Sequence, residues 1–328
     1  MMLLEPLSTR LFPKNEGATG YRITGLASRC DWVILSDYKS PTLHLHRNRD
    51  TESPSHIFLS LRSPFAAIRY FADCILPALT SDFVLVTGSE DVTLPHQIDA
   101  RLRPFNTEEQ RAIARILGHP GLVHWYVENL DDEGLPKCSP IPLGLVFPDG
   151  GASSITVPAS PRLRGRDLRV LCAHRHREGR QWESRREVSR FAAGPWYSFC
   201  TTPEGELPQS EFLAAMEAHA FVVCVDGGGL DPSPKAWAAL LHGAIPIIRR
   251  TALMPAYARL PVVFVQAWRP EAIDASRLCK WRDDLSVWFD DRCRREEVIR
   301  RLGLDYWWSY IERGKPIRTT DGIAVMDG

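Results

Sequence analysis

No stretch of the 328-residue chain approaches the roughly 18 uninterrupted apolar residues that a membrane-spanning helix requires. The opening residues, MMLLEPLSTRLF, lack a basic start, a sustained apolar core and a small-residue cleavage site. Neither an integral membrane segment nor a secretory leader is expected, and the expected location is cytoplasmic. Net charge is also missing, since 40 Lys and Arg balance 40 Asp and Glu. Without a global positive field the chain has no general attraction to nucleic acid or to an anionic membrane surface, so any anion must be met by a local group of cations. The eight cysteines include no Cys-x-x-Cys pair, and Cys172, Cys200 and Cys224 fall in or beside apolar strand candidates. They read as reduced small hydrophobes. Metal-ligand spacing is absent too. Of the ten histidines only His44 with His46 and His174 with His176 are close neighbours, and neither pair has a nearby Cys or carboxylate at ligand spacing. No Asp-x-Asp sits at a strand end, and no metal is expected.

What the chain does contain is the composition of a soluble globular protein, 44% hydrophobic and 24% charged, at a length that allows two domains with separate cores. Apolar runs of strand length alternate with segments of helical period. Strands are expected at 31–37, 56–61, 83–86 and 122–127. Residues 43–50 read as a short strand or a polar loop, and 138–145, which holds Pro140 and Pro142, as an edge strand or extended connector. Phe65, Ile68, Phe71, Ala72, Ile75 and Leu79 share one face of a helix over 64–79, and a helix over 107–117 is capped at Asn106 or Thr107. Residues 1–28 show no period and read as an irregular lead-in, while the Pro-, Gly- and Ser-rich stretch 147–166 reads as a linker. The pattern resumes with strands at 168–173, 196–200, 221–225, 244–248 and 262–265, and helices at 182–191 and 210–219. Such alternation is the sign of parallel sheets. The expected class is α/β, with two Rossmann-like domains over 1–150 and 165–328. The Trp- and Leu-rich stretch 278–312 should form helices that pack back across both, and 313–328 a frayed end.

Most of the chemistry gathers in one place. The strand at 221–225 runs into Asp226 and three successive glycines, Gly227, Gly228 and Gly229, where the backbone can turn sharply or approach a ligand closely. A helix is expected at once, with Asp231 or Ser233 as its cap, Pro232 or Pro234 at its first position and Gly243 as its stop. Free amides and a helix start at the carboxyl edge of a sheet suit a phosphate; an ordinary β-α turn is the other reading. The glycines depart from the dinucleotide fingerprint, being consecutive and lacking one at the helix-packing position, which argues against a nicotinamide or flavin. Lys235 lies in the same helix. The strand at 168–173 ends in a basic cluster whose Arg175, Arg177 and Arg180 are placed either to neutralise a diphosphate or to solvate a loop. In the first half Glu90 and Asp91 follow a strand end at Gly88, and Glu128 follows another. They are candidates for a base that takes a hydroxyl proton, or they are solvating loop carboxylates.

The run GGGLD with Lys235, Trp237, Ala239, Leu240, Gly243 and IPII resembles the glycine, Asp, Arg, Trp-Glu-Ala-Leu, Gly, Ile-Pro-Ile-Val signature of exostosin-like glycosyltransferases. His124, Trp125 and Tyr126 with Asn129, then Pro136 and Lys137, then IPLG at 141–144, resemble the segment that closes the amino-terminal half of bacterial and protist members. LPV at 260–262 and Trp268 follow at similar distance, so the likeness runs in blocks over roughly 80–270. The resemblance implies a GT-B fold of the kind used in polysaccharide biosynthesis. An acceptor domain would occupy 1–150, and a domain for a nucleotide sugar, such as a UDP-sugar, would occupy 165–328. The sugar would pass to a glycan or glycoconjugate without a metal or other cofactor. Gly227, Gly228, Gly229, Asp231 and Lys235, together with Arg175, Arg177 and Arg180 of the basic cluster, are the expected donor contacts; Asp91, Glu90 and Glu128 are the candidate bases. Two positions depart from the family pattern. Ala238 stands where the family has an acidic residue expected to hold the donor ribose, and one extra residue separates Lys235 from Asp231. Ala238 keeps open a second reading, a non-catalytic nucleotide or glycan binder derived from a transferase fold. A flavodoxin-like or periplasmic-type receptor also fits the alternation, but it leaves the GGGLD, Lys and Trp block unexplained.

Overall fold

The computed structural model describes residues 2–39, 43–147, 154–232, 234–319 and 322–326. Ser233, one of the two expected caps, and 148–153 within the expected linker lie outside the described residues. After a two-residue strand, β1 (Leu3–Leu4), the chain builds a six-stranded sheet from β2 (Trp32–Leu35), β3 (His44–Arg47), β4 (His56–Ser60), β5 (Phe83–Gly88), β6 (Leu122–Val127) and β7 (Cys138–Pro140). Their order is β3-β2-β4-β5-β6-β7, and β3 alone runs antiparallel to its neighbour. Pro140 is tolerated because β7 is an edge strand. β8 (Ile155–Thr156) then pairs back onto β1.

A second sheet, parallel throughout, takes the order β10-β9-β11-β12-β13-β14 from β9 (Asp167–Leu171), β10 (Cys200–Thr201), β11 (His219–Val223), β12 (Ile245–Arg249), β13 (Val263–Val265) and β14 (Val325–Met326). Strands of such sheets are covered on both faces, which is why they read as unbroken apolar runs. Phe58, Leu59, Leu85, Val86, Val170, Leu171, Phe221, Val222 and Ile247 are all buried. The α/β class with two Rossmann-like halves and parallel sheets is the one the sequence pattern implied. Between strands, the helix Thr107–Leu117 opens on a reciprocal cap: Asn106 Oδ1 accepts from the Glu109 amide, and the Glu109 carboxylate accepts from the Asn106 amide.

Residues 1–28 are irregular as expected, apart from short elements at Leu3–Leu4, Ala18–Gly20 and from Leu26, but their stretch around Leu7 is a buried seam between the halves. The Leu7 amide donates to the Leu302 carbonyl at 2.9 Å, the Leu145 amide to the Leu7 carbonyl at 2.9 Å, and the Thr9 amide to the Leu143 carbonyl at 3.1 Å. Gly144, at φ +79°, makes this approach possible, since a Cβ there would lie 2.0 Å from the Leu7 carbonyl oxygen. The tail does not simply fray. Ile317 is buried, its amide donates to Ser139 Oγ, and Val325–Met326 adds the edge strand β14. The stretch 278–312 is helical as expected, in four pieces: Ala275–Leu285, Val287–Asp290, Arg292–Arg301 and Leu304–Ile311. The last of these spans both halves. Tyr126 Oη, on β6, donates to the Tyr310 and Lys315 carbonyls, while Trp237 Nε1 in the second half donates to the Leu302 carbonyl beside buried Trp307. Burying a large apolar side chain contributes roughly 1.5–3 kcal/mol, so these helices act as a shared core for the two sheets.

Candidate functional site

In the second sheet the chain leaves β9 for an edge strand on one side and later forms β11 on the other, so the loops after β9 and β11 diverge at the carboxyl edge. That divergence is where open α/β sheets form their ligand crevice. The glycine turn is the loop after β11. The carbonyls of Gly227 and Gly228 accept from Gln181 Nε2 at 3.3 and 2.7 Å, and the Asp226 carbonyl accepts from Arg185 Nε at 3.1 Å. The amides of Gly227, Gly228 and Gly229 have no acceptor among the described residues, although Gly228 and Gly229 are buried. Buried amides without an acceptor are uncommon and mark a place for water or a ligand.

Cations surround this turn in excess. Arg185 donates only to main-chain carbonyls, those of Asp226 and Arg175, and no carboxylate among the described residues pairs with it. Burial, and then the nearby Arg177, push its pKa down. The guanidinium carbons of Arg101, Arg177 and Arg185 lie 5.4, 4.9 and 4.6 Å from the ring of buried Trp182. Asp226, at the start of the turn, is already committed to Arg249, whose Nε lies 3.0 Å from its Oδ2.

The other expected donor residues stand apart from this arrangement. The helix after the turn is the seven-residue Lys235–Leu241, preceded by Pro234 and without a side-chain cap. The helix begins directly after Pro234 and is followed by Gly243 at φ +77°, close to the expected start and stop, and residues 230–234 lie between its first amides and the glycines. Asp231 Oδ2 accepts from the Leu143 amide at 2.9 Å and its Oδ1 from Tyr257 Oη at 2.7 Å, which ties the halves together. Lys235 Nζ donates to the Ala173 carbonyl at 2.5 Å, beyond the end of β9, and burial pushes its pKa down to about 8. Arg175 pairs with Glu206 at the surface, and Arg180 is exposed.

On the first sheet, Glu90, Asp91 and Glu128 lie past the carboxyl ends of β5 and β6 and are gathered around arginines that the sequence reading had not singled out. Arg10 Nη2 lies 2.7 Å from Asp91 Oδ1 and 2.6 Å from Glu128 Oε1, and Arg62 Nη1 lies 2.8 Å from Glu90 Oε2. Arg101 Nη2 donates to Asp91 Oδ2 at 2.8 Å and to buried Asp99 at 2.7 Å. Glu128 Oε2 also accepts from Thr9 Oγ1 and the Ser89 amide. Burial pushes the Glu128 carboxyl up to about 7 against the opposing pull of Arg10 and Thr9. At Asp91 burial acts upward too, but Arg10 and Arg101 outweigh it and hold the carboxyl well below the usual range.

The two edges meet at the glycines. A Cβ on Gly228 would lie 1.7 Å from Arg101 Nη2 and 2.3 Å from Asp91 Oδ2; one on Gly229 would lie 2.4 Å from Asn129 Oδ1. Only glycine permits this contact. Asn129 Oδ1 accepts from the Leu230 and Asp231 amides at 2.9 and 3.1 Å, stitching the turn to the end of β6. What remains open is a cavity of about 130 Å³, lined by Thr93 and Ile98 on one side and by Gln181, Ser184, Arg249 and the glycine turn on the other. Small-molecule sites run to about 300–1,000 Å³. The crevice expected at the turn is therefore closed by side chains of the opposite half. A surface groove of about 730 Å³, lined by Arg69, Asp73, Glu108, Arg111 and Arg115, shares none of these residues. Among the described residues no group of three or more His, Cys, Asp or Glu is placed to hold a metal ion, and no helix is long and apolar enough to cross a membrane.

Sequence reasoning missed Arg185, Gln181, Trp182, Arg101 and Arg10. The only available signal was Trp182, an indole set inside the arginine-rich run that continues the basic cluster.

No protein-family model and no curated protein matches the chain. Among solved structures it is similar to the spinosyn rhamnosyltransferase SpnG complexed with thymidine diphosphate, at 12% identity over 79% of this chain and 73% of that one, with a TM-score of 0.38. It is also similar to an alpha-glucosyltransferase in complex with UDP-glucose and DNA containing an abasic site, at 9% identity over 81% and 78%, with a TM-score of 0.33. Likeness at this level assigns no residue a role.

Proposed function

We propose that the chain is a glycosyltransferase of GT-B type, of the exostosin-like kind its sequence resembles, seen with its halves closed. It would move a sugar from a nucleotide-diphosphate donor such as a UDP-sugar to a glycan or glycoconjugate. In this reading 1–150 is the acceptor domain and 165–328 the donor domain. The observation that carries it is the unbalanced edge of the second sheet, where, among the described residues, three consecutive amides find no acceptor and Arg185 pairs with no acid. A diphosphate supplies both the acceptor oxygens and the charge. Amides and guanidiniums held in place before the leaving group develops its charge stabilise it without reorganisation, and they neutralise it as a metal otherwise would. Of the three carboxylates opposite, we assign Glu128 as the base. Asp91 is held too acidic to take up a proton, whereas burial lifts Glu128 toward neutrality. Because 130 Å³ is too small for a nucleotide sugar, donor entry requires the halves to part.

Incubation with UDP-, GDP-, ADP- and CMP-linked sugars, with detection of freed nucleotide, tests this reading. Release from at least one donor is expected. If nucleotide binds but none of these donors releases it, the second reading stands, a non-catalytic nucleotide binder. That reading is favoured by the ion pairing of Glu90, Asp91 and Glu128 and by Ala238.

A further inference from the structure

The loop between β5 and the helix Thr107–Leu117 belongs to the first half, yet it is seated on the glycine turn of the second. The Ala100 amide donates to Gln181 Oε1 at 2.7 Å, and the same Gln181 amide group donates to the Gly228 carbonyl at 2.7 Å. This relay places the Arg101 guanidinium against Gly228 and over Trp182, where it becomes the third arginine around one indole. After burial, Arg177 and Arg101 both push the half-buried Arg185 guanidinium's pKa down, a repulsion that an anion among the three would relieve. The carboxylate that rests on the turn is Asp91.

The two acids that hold Arg101 are not equivalent. Asp99 is fully buried and bonds Nε and Nη2, which fixes the plane of the guanidinium. Asp91 is 27% exposed, bonds only Nη2, and keeps a second partner in Arg10. It can give up Arg101 and remain paired. Arg101 Nη1 makes no hydrogen bond among the described residues, so the guanidinium has a donor to spare.

We propose that Arg101 is an anion-binding residue lent by the first half to the site on the second, and that Asp91 holds its place until a phosphate group displaces it. The proposal rests on the reading of the glycine turn as a phosphate site. Binding of the diphosphate would then be coupled to closure, because the ligand joins donors carried by both halves.

Calorimetric titration with inorganic pyrophosphate separates the two claims. The full-length wild type is compared with Arg101→Ala, Arg101→Lys, Asp91→Asn and Arg185→Ala, each checked for a wild-type unfolding transition. Arg101→Ala is expected to weaken binding about tenfold, as loss of one charge-assisted contact does. Asp91→Asn, which removes the competitor at constant shape, is expected to strengthen it about threefold. Arg101→Lys keeps a charge beside Asp99 and is expected to fall between wild type and the alanine variant. It carries the test if the alanine variant does not fold. Wild-type affinity in both Arg101 variants and in Asp91→Asn, with binding lost in Arg185→Ala, overturns the proposal and leaves the phosphate site standing. Wild-type affinity in Arg185→Ala, or no binding by any of these proteins, overturns both.

Discussion

The carboxyl edges of the two sheets are built from the same kinds of residue and reach opposite electrostatic states. On the first, Glu90, Asp91, Asp99 and Glu128 are matched by Arg10, Arg62 and Arg101 at hydrogen-bonding distance. On the second, Arg185 pairs with no acid and three amides have no acceptor among the described residues. Charges that are mutually satisfied hold a structure in one arrangement; charges left short of a partner in a partly buried place are costly and await one from outside. On the proposed reading the cluster around Arg10 and Arg62 on the first edge holds the structure, and the second edge, with Arg101 lent to it, receives the ligand.

The largest expected effect is on the satisfied edge. Arg10→Met leaves buried Glu128 without its cation, while Glu90 keeps Arg62 and Asp91 keeps Arg101, and is expected to destabilise the protein by about 3–5 kcal/mol in urea unfolding. An unchanged midpoint would show that the first edge is not held by charge. The next effect is a pH dependence. The folded-state pKa of Glu128 is raised above its unfolded value, so the stability contributed by its protonated form is present below about pH 4.5 and is lost as pH rises through about 7. Wild type should lose on the order of 3 kcal/mol relative to Glu128→Gln across that window. Parallel stability curves for the two proteins would mean that Glu128 is ionised at no cost. Smaller again, Asn129→Ala leaves the Leu230 and Asp231 amides without their acceptor and should cost about 1–2 kcal/mol. The smallest effect sharpens the second edge: Lys235→Met is expected to leave UDP affinity within about twofold, since its ammonium is turned to Ala173. A tenfold loss would restore Lys235 to the site.

How far the sequence carried this account depends on which force shapes each part. Strands covered on both faces must be apolar, so 56–61, 122–127 and 221–225 were legible as runs, and Asn106 or Thr107 announced a helix start. The buried stretch around Leu7 and Thr9 was not legible. It is held by main-chain bonds to Leu143, Leu145 and Leu302, which leave no period in the side chains. Arg10 is buried because acids from 80 or more residues away surround it, a long-range fact that no local pattern records. At the glycine turn the reading found the loop but not its partners. Arg185 sits in a helix whose other charges face solvent, and nothing in ESRREVSRFAA sets it apart.

The central claim, that the unbalanced edge of the second sheet seats a nucleotide diphosphate, is tested most directly by titrating UDP into wild type and Arg185→Ala in a calorimeter. Saturable binding by wild type, weakened about thirtyfold in the variant by the loss of roughly 2 kcal/mol of charge-assisted hydrogen bonding, is the predicted result. Equal affinity in the two proteins, or no heat of binding in either, would contradict it.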